Sequence, residues 1–404
     1  MHLLINALAA SAGGGLTYVR NVAPQLAARD GLQTSILLRP ALRRELGDYR
    51  NVTYIEREPP GGAGRRFWYE QSMLPGLIRR IGADVLLSAG NFALRRSPVP
   101  QILLSGNSLY TSGDFLRDLG ERRDYMLWLD TKIKGVFARR SVGWADVTVA
   151  PSASFADQLK RWARGHVISI HHGFDRGAFF SENIPLDAAI AAKLGPSDGA
   201  LRLLLVSHYN YYRNFETLLR ALPLLQPLPG GRKAKVVFTC TLRTEDNPGS
   251  FHAENAAALL EQLGIAADVV QLGAVPYRQL HHVYAACDLY VTPAYTETFA
   301  HHVVEAMASG LPVIAADIPI HREICGEAAM YFPRFSPEVL AGAVAEIAAS
   351  PERMRKMSSQ GKQEALRFSW AQHVEQIVAL AHAIRKQGAK QGDSPFLASK
   401  SPAG

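Results

Sequence analysis

The sequence predicts an α/β protein built as two Rossmann-like, doubly wound domains facing each other across a cleft. Short apolar runs alternate with helical stretches along almost the whole chain, the pattern of parallel sheets covered by helices on both faces. The alternation pauses between residues 176 and 200 and then restarts. A chain of 404 residues with 48% hydrophobic and 20% charged content is ordinary for a globular protein of about two domains. The first domain is expected over residues 1–185 and the second over 186–370. A last helix, over about 370–386, is expected to pack back on the first domain. Residues 387–404 are polar and rich in Gly, Ser, Lys and Pro, and are expected to form a disordered tail.

The strands are read in chain order. In the first half they are "HLLINAL", "TSILLR", "NVTYIE", "ADVLLSA", "VPQILLS", "ADVTVAP" and "HVISIHHG". After the break come "LRLLLVS", "KAKVVFTC", "ADVVQLG", "CDLYVTP", "LPVIAAD" and "AAMYFP". Sheets of this kind bind ligands at the carboxyl ends of their strands, so the residues following each strand are where chemistry is sought.

No apolar run approaches the length of a membrane span, and "MHLLINALAASAGGG" lacks the basic region of a secretory signal. Cys240, Cys287 and Cys325 are widely spaced, which argues against a disulfide framework or a structural zinc site. A reducing, cytoplasmic setting is expected. The net charge of +8 is uneven, with 24 Lys and Arg against 16 Asp and Glu up to residue 185 and 20 against 20 after it. A basic first half suits a solvated face, an anionic substrate or an anionic membrane surface. Nucleic acid ranks last, because no helix-turn-helix, zinc-finger or RNP signature is present.

The first strand runs into Gly13, Gly14 and Gly15, which open a helix. Glycines there let backbone approach a phosphate, and the helix N-terminus supplies N–H groups and a favourable dipole. A plain tight turn explains the same residues. The motif is not GxGxxG, and Arg39, not an acidic residue, ends the second strand, so an NADP-dependent reading stays open.

Stronger chemistry lies in "ETFAHHVVEAMASGLPVIAAD", residues 297–317, a loop, a short helix stopped by Gly310 and Pro312, and a strand. It sets Glu305 in the middle of an apolar helix, where an unpaired carboxylate is costly, with Glu297 eight positions earlier. Together with "LRLLLVSHYNYYRNFETLLRAL", "LGAVPYRQLHHVYAACDLYVTPAYTETF" and the later "FSW", this region resembles the retaining nucleotide-sugar glycosyltransferases of family 4, which have the GT-B fold. The resemblance is detailed from about residue 200 to 375. It is thinner before that, resting on the glycine turn, "VAPSASFADQL" and "HHGFD".

The resemblance implies a hexose transferred from a UDP- or GDP-sugar to a glycan or lipid-linked acceptor, without a metal ion or other cofactor, in bacterial surface polysaccharide or lipopolysaccharide synthesis. It implies that Glu305 accepts hydrogen bonds from the ribose hydroxyls and that Glu297 lies by the transferred sugar, stabilising developing positive charge. Thr298, Phe299, Ala300 and His301 would offer N–H groups to the diphosphate, and Arg213 would replace a family Lys that neutralises it. His208 stands where Arg is frequent, and Ala300 replaces a usual Gly, which the helix entry accepts if φ stays negative. Domain closure would bring Gly14 and Gly15 opposite Arg213 and Glu297. On the acceptor side Asn107 falls where a His is common, and it can bind a hydroxyl but cannot act as a base.

His171-His172, His281-His282 and His301-His302 raise a metal reading, opposed because adjacent residues rarely point the same way. His301 and His302 are read instead as lining the sugar pocket or capping the helix. Two other activities remain: a nucleotide-sugar 2-epimerase on the same scaffold, which lacks the paired glutamates, and the NADP-dependent enzyme. A motif retained without activity is the third alternative.

Overall fold

The computed structural model describes residues 1–10, 14–181, 184–196, 198–226, 228, 231–247 and 251–392. Gly13 and the expected tail beyond residue 392 lie outside them. The chain divides into two compact units, one of residues 1–111, 131–173 and from 370 on, the other of residues 112–130 and 174–369.

The first unit holds seven parallel strands, β1 (His2–Asn6), β2 (Gln33–Leu38), β3 (Val52–Glu56), β4 (Val85–Ser88), β5 (Gln101–Leu104), β6 (Val147–Ala150) and β7 (Val167–Ser169). Their order is β3-β2-β1-β4-β5-β6-β7. Every residue of β1, β4 and β6 is buried, as in a sheet covered on both faces, which is why these strands read as unbroken apolar runs. The helix Gly14–Ala27 lays Tyr18, Val19, Val22 and Leu26 into a core shared with Val374, Ile377, Ala381 and Ile384 of the helix Trp370–Gly392. That last helix runs through residues 387–392, which were expected to begin the tail. The stretch is rich in Ala, Lys and Gln, which favour helix, and a glycine inside it, Gly388, costs only about 1 kcal/mol, too little to stop it.

The second unit holds six parallel strands, β8 (Leu201–Leu205), β9 (Ala234–Phe238), β10 (Val269–Gln271), β11 (Leu289–Thr292), β12 (Val313–Ala316) and β13 (Ala329–Phe332). The order is β10-β9-β8-β11-β12-β13. The chain builds outward from β8 through β9 and β10, then returns to place β11 on the other side of β8. Strand order therefore reverses between β8 and β11, the position where doubly wound sheets open a ligand crevice.

Two expected boundaries are corrected. Residues 112–130, expected in the first domain, belong to the second unit. Their helix Gly113–Glu121 buries Phe115 and Leu119, with the Phe115 ring 6.3 Å from Tyr212 and 6.4 Å from Phe251. Charged contacts fix it further: Arg334 pairs with Asp114 at 2.7 Å, Arg122 bridges Asp118 (2.7 Å) and Glu216 (3.0 Å), and Tyr295 donates to Asp118 at 2.6 Å. The other correction moves the main break from 185 to 173. Phe179 is fully buried against Phe174, Tyr277 and Tyr284, so the segment after Gly173 belongs to the second core.

Candidate active site

The second unit places its charged groups at the reversal. After β8 the chain makes a tight turn over Tyr211–Arg213 and then enters a left-handed conformation at Asn214, φ 55°. Asparagine tolerates that conformation better than most residues. Its amide donates to the carbonyls of Pro293 (3.1 Å) and Arg334 (2.7 Å), while Thr217 donates to its Oδ1 at 2.9 Å. The loop after β8 is thereby tied to the loop after β11, and Arg213 is held in place. Its guanidinium pairs with Glu297, which follows β11 and is only 9% exposed. Burial works against the arginine's charge, and the Glu297 carboxylate outweighs it. The guanidinium is not saturated, because its buried Nε has no hydrogen-bond partner.

Glu305 is the fifth residue of the helix His301–Ser309, just past its first turn, and is 4% exposed. Its expected partner is a ligand, and the protein itself supplies two. Nδ1 of His302 donates to Oε2 at 3.0 Å, and the Tyr284 hydroxyl lies 3.0 Å from the same oxygen. That hydroxyl is shared with the His302 carbonyl at 3.1 Å. Both bonds fall on Oε2, and Oε1 receives none among the described residues. One face of the carboxylate is fixed by the protein and the other remains able to accept.

Ala300 corrects an expectation. It was to enter the helix at negative φ, but it caps the helix at φ 63°, ψ 57°. The Cβ of an L-residue is crowded there, a cost that glycine would not carry. Val303 and Val304 donate to the Ala300 carbonyl at 3.0 and 3.4 Å, so the turn closes tightly in spite of the strain. Ala300→Gly is expected to stabilise the protein by about 1 kcal/mol, read as a higher denaturant midpoint with unchanged slope. A lower midpoint would show that the alanine methyl contributes more by packing than it costs in strain.

Three histidines around these groups resist protonation. Burial holds His208, His301 and His321 below the ordinary histidine value, His301 down to about 4. For His208 the neighbouring His302 and Arg213 add to the effect. The unfolded chain takes up these protons near 6.5, so between 6.5 and about 4 it binds more protons than the native state. Stability is therefore lost as pH falls through that window, by about 3 kcal/mol from His301 alone. Glu305 adds a loss at lower pH. Burial opposes its charge, but His302 and the hydrogen bonds outweigh burial and hold the carboxyl below its usual value, so its contribution persists until pH falls through that lowered value. His301→Gln is expected to flatten the decline in urea midpoint between about pH 7 and about pH 5. An identical decline in the variant would assign it elsewhere.

Among the remaining candidates, Thr298 is half-buried, and Phe299 is buried with its ring 5.2 Å from Phe368 and 4.8 Å from His301. In the first unit, Gly14 and Gly15 follow β1 where strand order reverses between β1 and β4. Gly14 is open on its side-chain face, whereas a Cβ on Gly15 would meet Ala10 at 3.0 Å, so Gly15 permits a close helix–loop approach. Asn107 uses Oδ1 to accept from the Leu109 N–H at 3.0 Å and caps a short turn. Its amide nitrogen takes no part in that cap. Glu305 follows His302 by three residues and His301 by four, which puts a carboxylate on the same helix face, and the structure uses that spacing for the His302–Glu305 bond. Among the described residues no group of three or more His, Cys, Asp or Glu is arranged to hold a metal ion.

Sequence reasoning missed Asn214 and Tyr284. A signal for the first was present, since Asn after the Arg of a strand-to-helix loop is suited to a left-handed turn. Nothing local marks Tyr284.

The two parallel-sheet α/β domains and the paired glutamates at a switch point define a protein of the GT-B class. "Glycosyltransferase Family 4" describes the model matching residues 12–177, and "Glycosyl transferases group 1" the one matching residues 187–364. Consecutive and together spanning most of the chain, they show that it belongs to the family 4 glycosyltransferases. It is 33% identical over 141 residues to D-inositol 3-phosphate glycosyltransferase of Segniliparus rotundus, covering 34% of this chain and 31% of that one. It is 29% identical over 254 residues to the Nocardia farcinica protein of the same name, covering 59% and 53%. The chain thus spans about a third to a half of the length of these relatives. In fold it is similar to sucrose-phosphate synthase from Thermosynechococcus elongatus, TM-score 0.73 at 18% identity over 98% of this chain and 100% of that one. It is similar also to Anabaena HepE in complex with UDP-glucose, TM-score 0.65 at 15% identity over 97% and 99%.

Proposed function

We propose that the protein is a retaining glycosyltransferase that moves a hexose from a UDP- or GDP-sugar to a glycan or lipid-linked acceptor, without a metal ion or other cofactor. The observation that carries this reading is the buried Arg213–Glu297 pair set beside Glu305, whose Oε1 is left to accept. A diphosphate suits the Arg213 guanidinium and the first N–H groups of the helix His301–Ser309, which have no partner within the helix. A ribose hydroxyl suits Oε1 of Glu305. Glu297 suits the sugar, where a carboxylate stabilises the positive charge formed as the bond from the anomeric carbon to phosphate breaks. The acceptor oxygen then bonds to that carbon on the face the phosphate leaves, and its proton passes to the departing phosphate oxygen. Support comes from the family, from relatives named for transfer to an inositol phosphate, and from a similar fold solved with UDP-glucose. Bacterial surface polysaccharide or lipopolysaccharide synthesis in the cytoplasm is the proposed setting.

A thermal-shift screen of nucleotide sugars in the presence of EDTA tests the reading, since a ligand that binds the folded state raises its apparent stability. A shift with one UDP- or GDP-sugar is expected. No shift with any nucleotide sugar overturns donor binding, a shift abolished by EDTA overturns metal independence, and a product of inverted anomeric configuration by NMR overturns retention.

A further inference from the structure

The helix Gly113–Glu121 is spliced into the sequence of the first unit but packs in the second, against the loops that carry Arg213 and Glu297. Its apolar side is a packing surface, with Phe115 fully buried beside Tyr212 and Phe251. Its polar side is more specific than packing requires. The Asp118 side chain is 18% exposed, and its two oxygens have different partners. Oδ2 accepts from the Tyr295 hydroxyl at 2.6 Å, and Oδ1 accepts from Nε of Arg122 at 2.7 Å.

Both branches end beside a charged group of the site. Tyr295 stands two residues before Glu297 and is 5% exposed. Its backbone N–H donates to the carbonyl of Tyr212 at 3.1 Å, so the loop after β11 is tied to the residue preceding Arg213. Burial, and the Asp118 carboxylate after it, push the Tyr295 hydroxyl well above the ordinary tyrosine value, which keeps it a donor. On the other branch, Arg122 donates to Oε1 of Glu216 at 3.0 Å, and that oxygen also receives the Tyr209 hydroxyl at 2.7 Å. The Arg122 guanidinium lies 4.3 Å from the centre of the Tyr211 ring. Tyr209, Tyr211 and Glu216 bracket Arg213 in the sequence, so the loop after β8 is held on both sides of it. Charge-assisted bonds in a mostly buried network of this kind fix geometry more firmly than neutral ones.

We propose that Asp118 is a positioning residue, which fixes Glu297 through Tyr295 and fixes Arg213 through Arg122 and Glu216. The inference rests on the roles given to Arg213 and Glu297 above. A misplacement of about 1 Å at reacting groups can cost about a hundredfold in rate, so a brace that touches no substrate controls turnover through the groups it holds.

The test offers UDP-glucose, UDP-galactose and GDP-mannose in turn to the full chain and follows release of the nucleoside diphosphate, with melting temperature measured for every variant. Tyr295→Phe removes one hydroxyl and keeps the ring, so it should fold even where Asp118→Ala does not. Each is expected to lower kcat by about tenfold or more while KM for the donor stays within about threefold, and Asp118→Asn, which keeps an acceptor, should recover part of the loss. Because Tyr295 acts through Asp118, the double variant should turn over no more slowly than Asp118→Ala alone. Asp114→Ala supplies the control: it breaks the ion pair with Arg334 on the same helix but leaves the bonds to Tyr295 and Arg122, and its kcat should stay within about twofold. Natural kcat in Tyr295→Phe, additive losses in the double variant or an equal loss in Asp114→Ala overturns the proposal and leaves the helix a packing element. A natural protein that releases no diphosphate from any of the three donors overturns the reading of the site and the positioning role with it.

Discussion

Glu297→Ala is expected to lower turnover by about 10²–10³-fold, with nucleotide affinity changed far less. The reason is where the carboxylate stands. It follows β11 beside the switch point, is held by Arg213 and is almost closed to water. A charge fixed in such a place acts on a developing positive charge without first reorganising solvent. The alanine variant also strips a buried guanidinium of its counter-charge, a loss of about 3–5 kcal/mol in stability for pairs of this kind. Glu297→Gln separates the two effects. The amide oxygen still accepts from Arg213 and the packing is kept, but the negative charge is gone. If charge is what matters, the glutamine variant should turn over nearly as poorly as the alanine variant while melting closer to the natural protein. Turnover within tenfold of the natural protein, in variants shown to be folded, would remove Glu297 from the chemistry and leave it a structural anchor for Arg213.

What the sequence disclosed followed from how local each signal is. Of the thirteen strands among the described residues, the central ones were visible because strands buried on both faces, such as "LRLLLVS" and "LPVIAAD", must be apolar along their length, whereas half-exposed edge strands such as Val52–Glu56 show only a shorter alternating pattern. Glu297 and Glu305 were visible because a loop, a helix start and a strand in one short stretch carry them. What was hidden depends on residues distant in sequence. Residues 112–130 join the second unit through Arg334, Glu216 and Tyr295, roughly a hundred positions or more away, and no local composition marks that exchange. The partner of Glu305 came partly from the neighbouring His302 and partly from Tyr284, which reads on its own as one more apolar residue of a short helix. The conformation of Ala300 was hidden for a different reason: alanine normally signals negative φ, and here the tight entry to the helix overrides its preference.

Glu305→Ala is expected to weaken nucleotide binding by about ten- to a hundredfold, in line with the loss of one or two hydrogen bonds to a charged acceptor. Its cost to folding should be modest, about 1–3 kcal/mol. The Tyr284 hydroxyl keeps the His302 carbonyl at 3.1 Å when the carboxylate is removed, so only His302 Nδ1 loses its partner outright, and that ring is partly exposed to water. Affinity alone does not distinguish a direct contact from a disturbed pocket, but the ribose does. If Oε1 receives a ribose hydroxyl, the natural protein must prefer a ribonucleotide over its 2′,3′-dideoxy counterpart, and Glu305→Ala must lose that preference. Tyr284→Phe supplies the comparison, since it removes a bond to Oε2 and leaves Oε1 in place. That variant should bind somewhat more weakly yet still discriminate between the two nucleotides. A Glu305→Ala protein that discriminates as well as the natural one would place the ribose elsewhere. The carboxylate would then be a buried group satisfied by Tyr284 and His302 alone, and its position in an apolar helix would need no ligand to explain it.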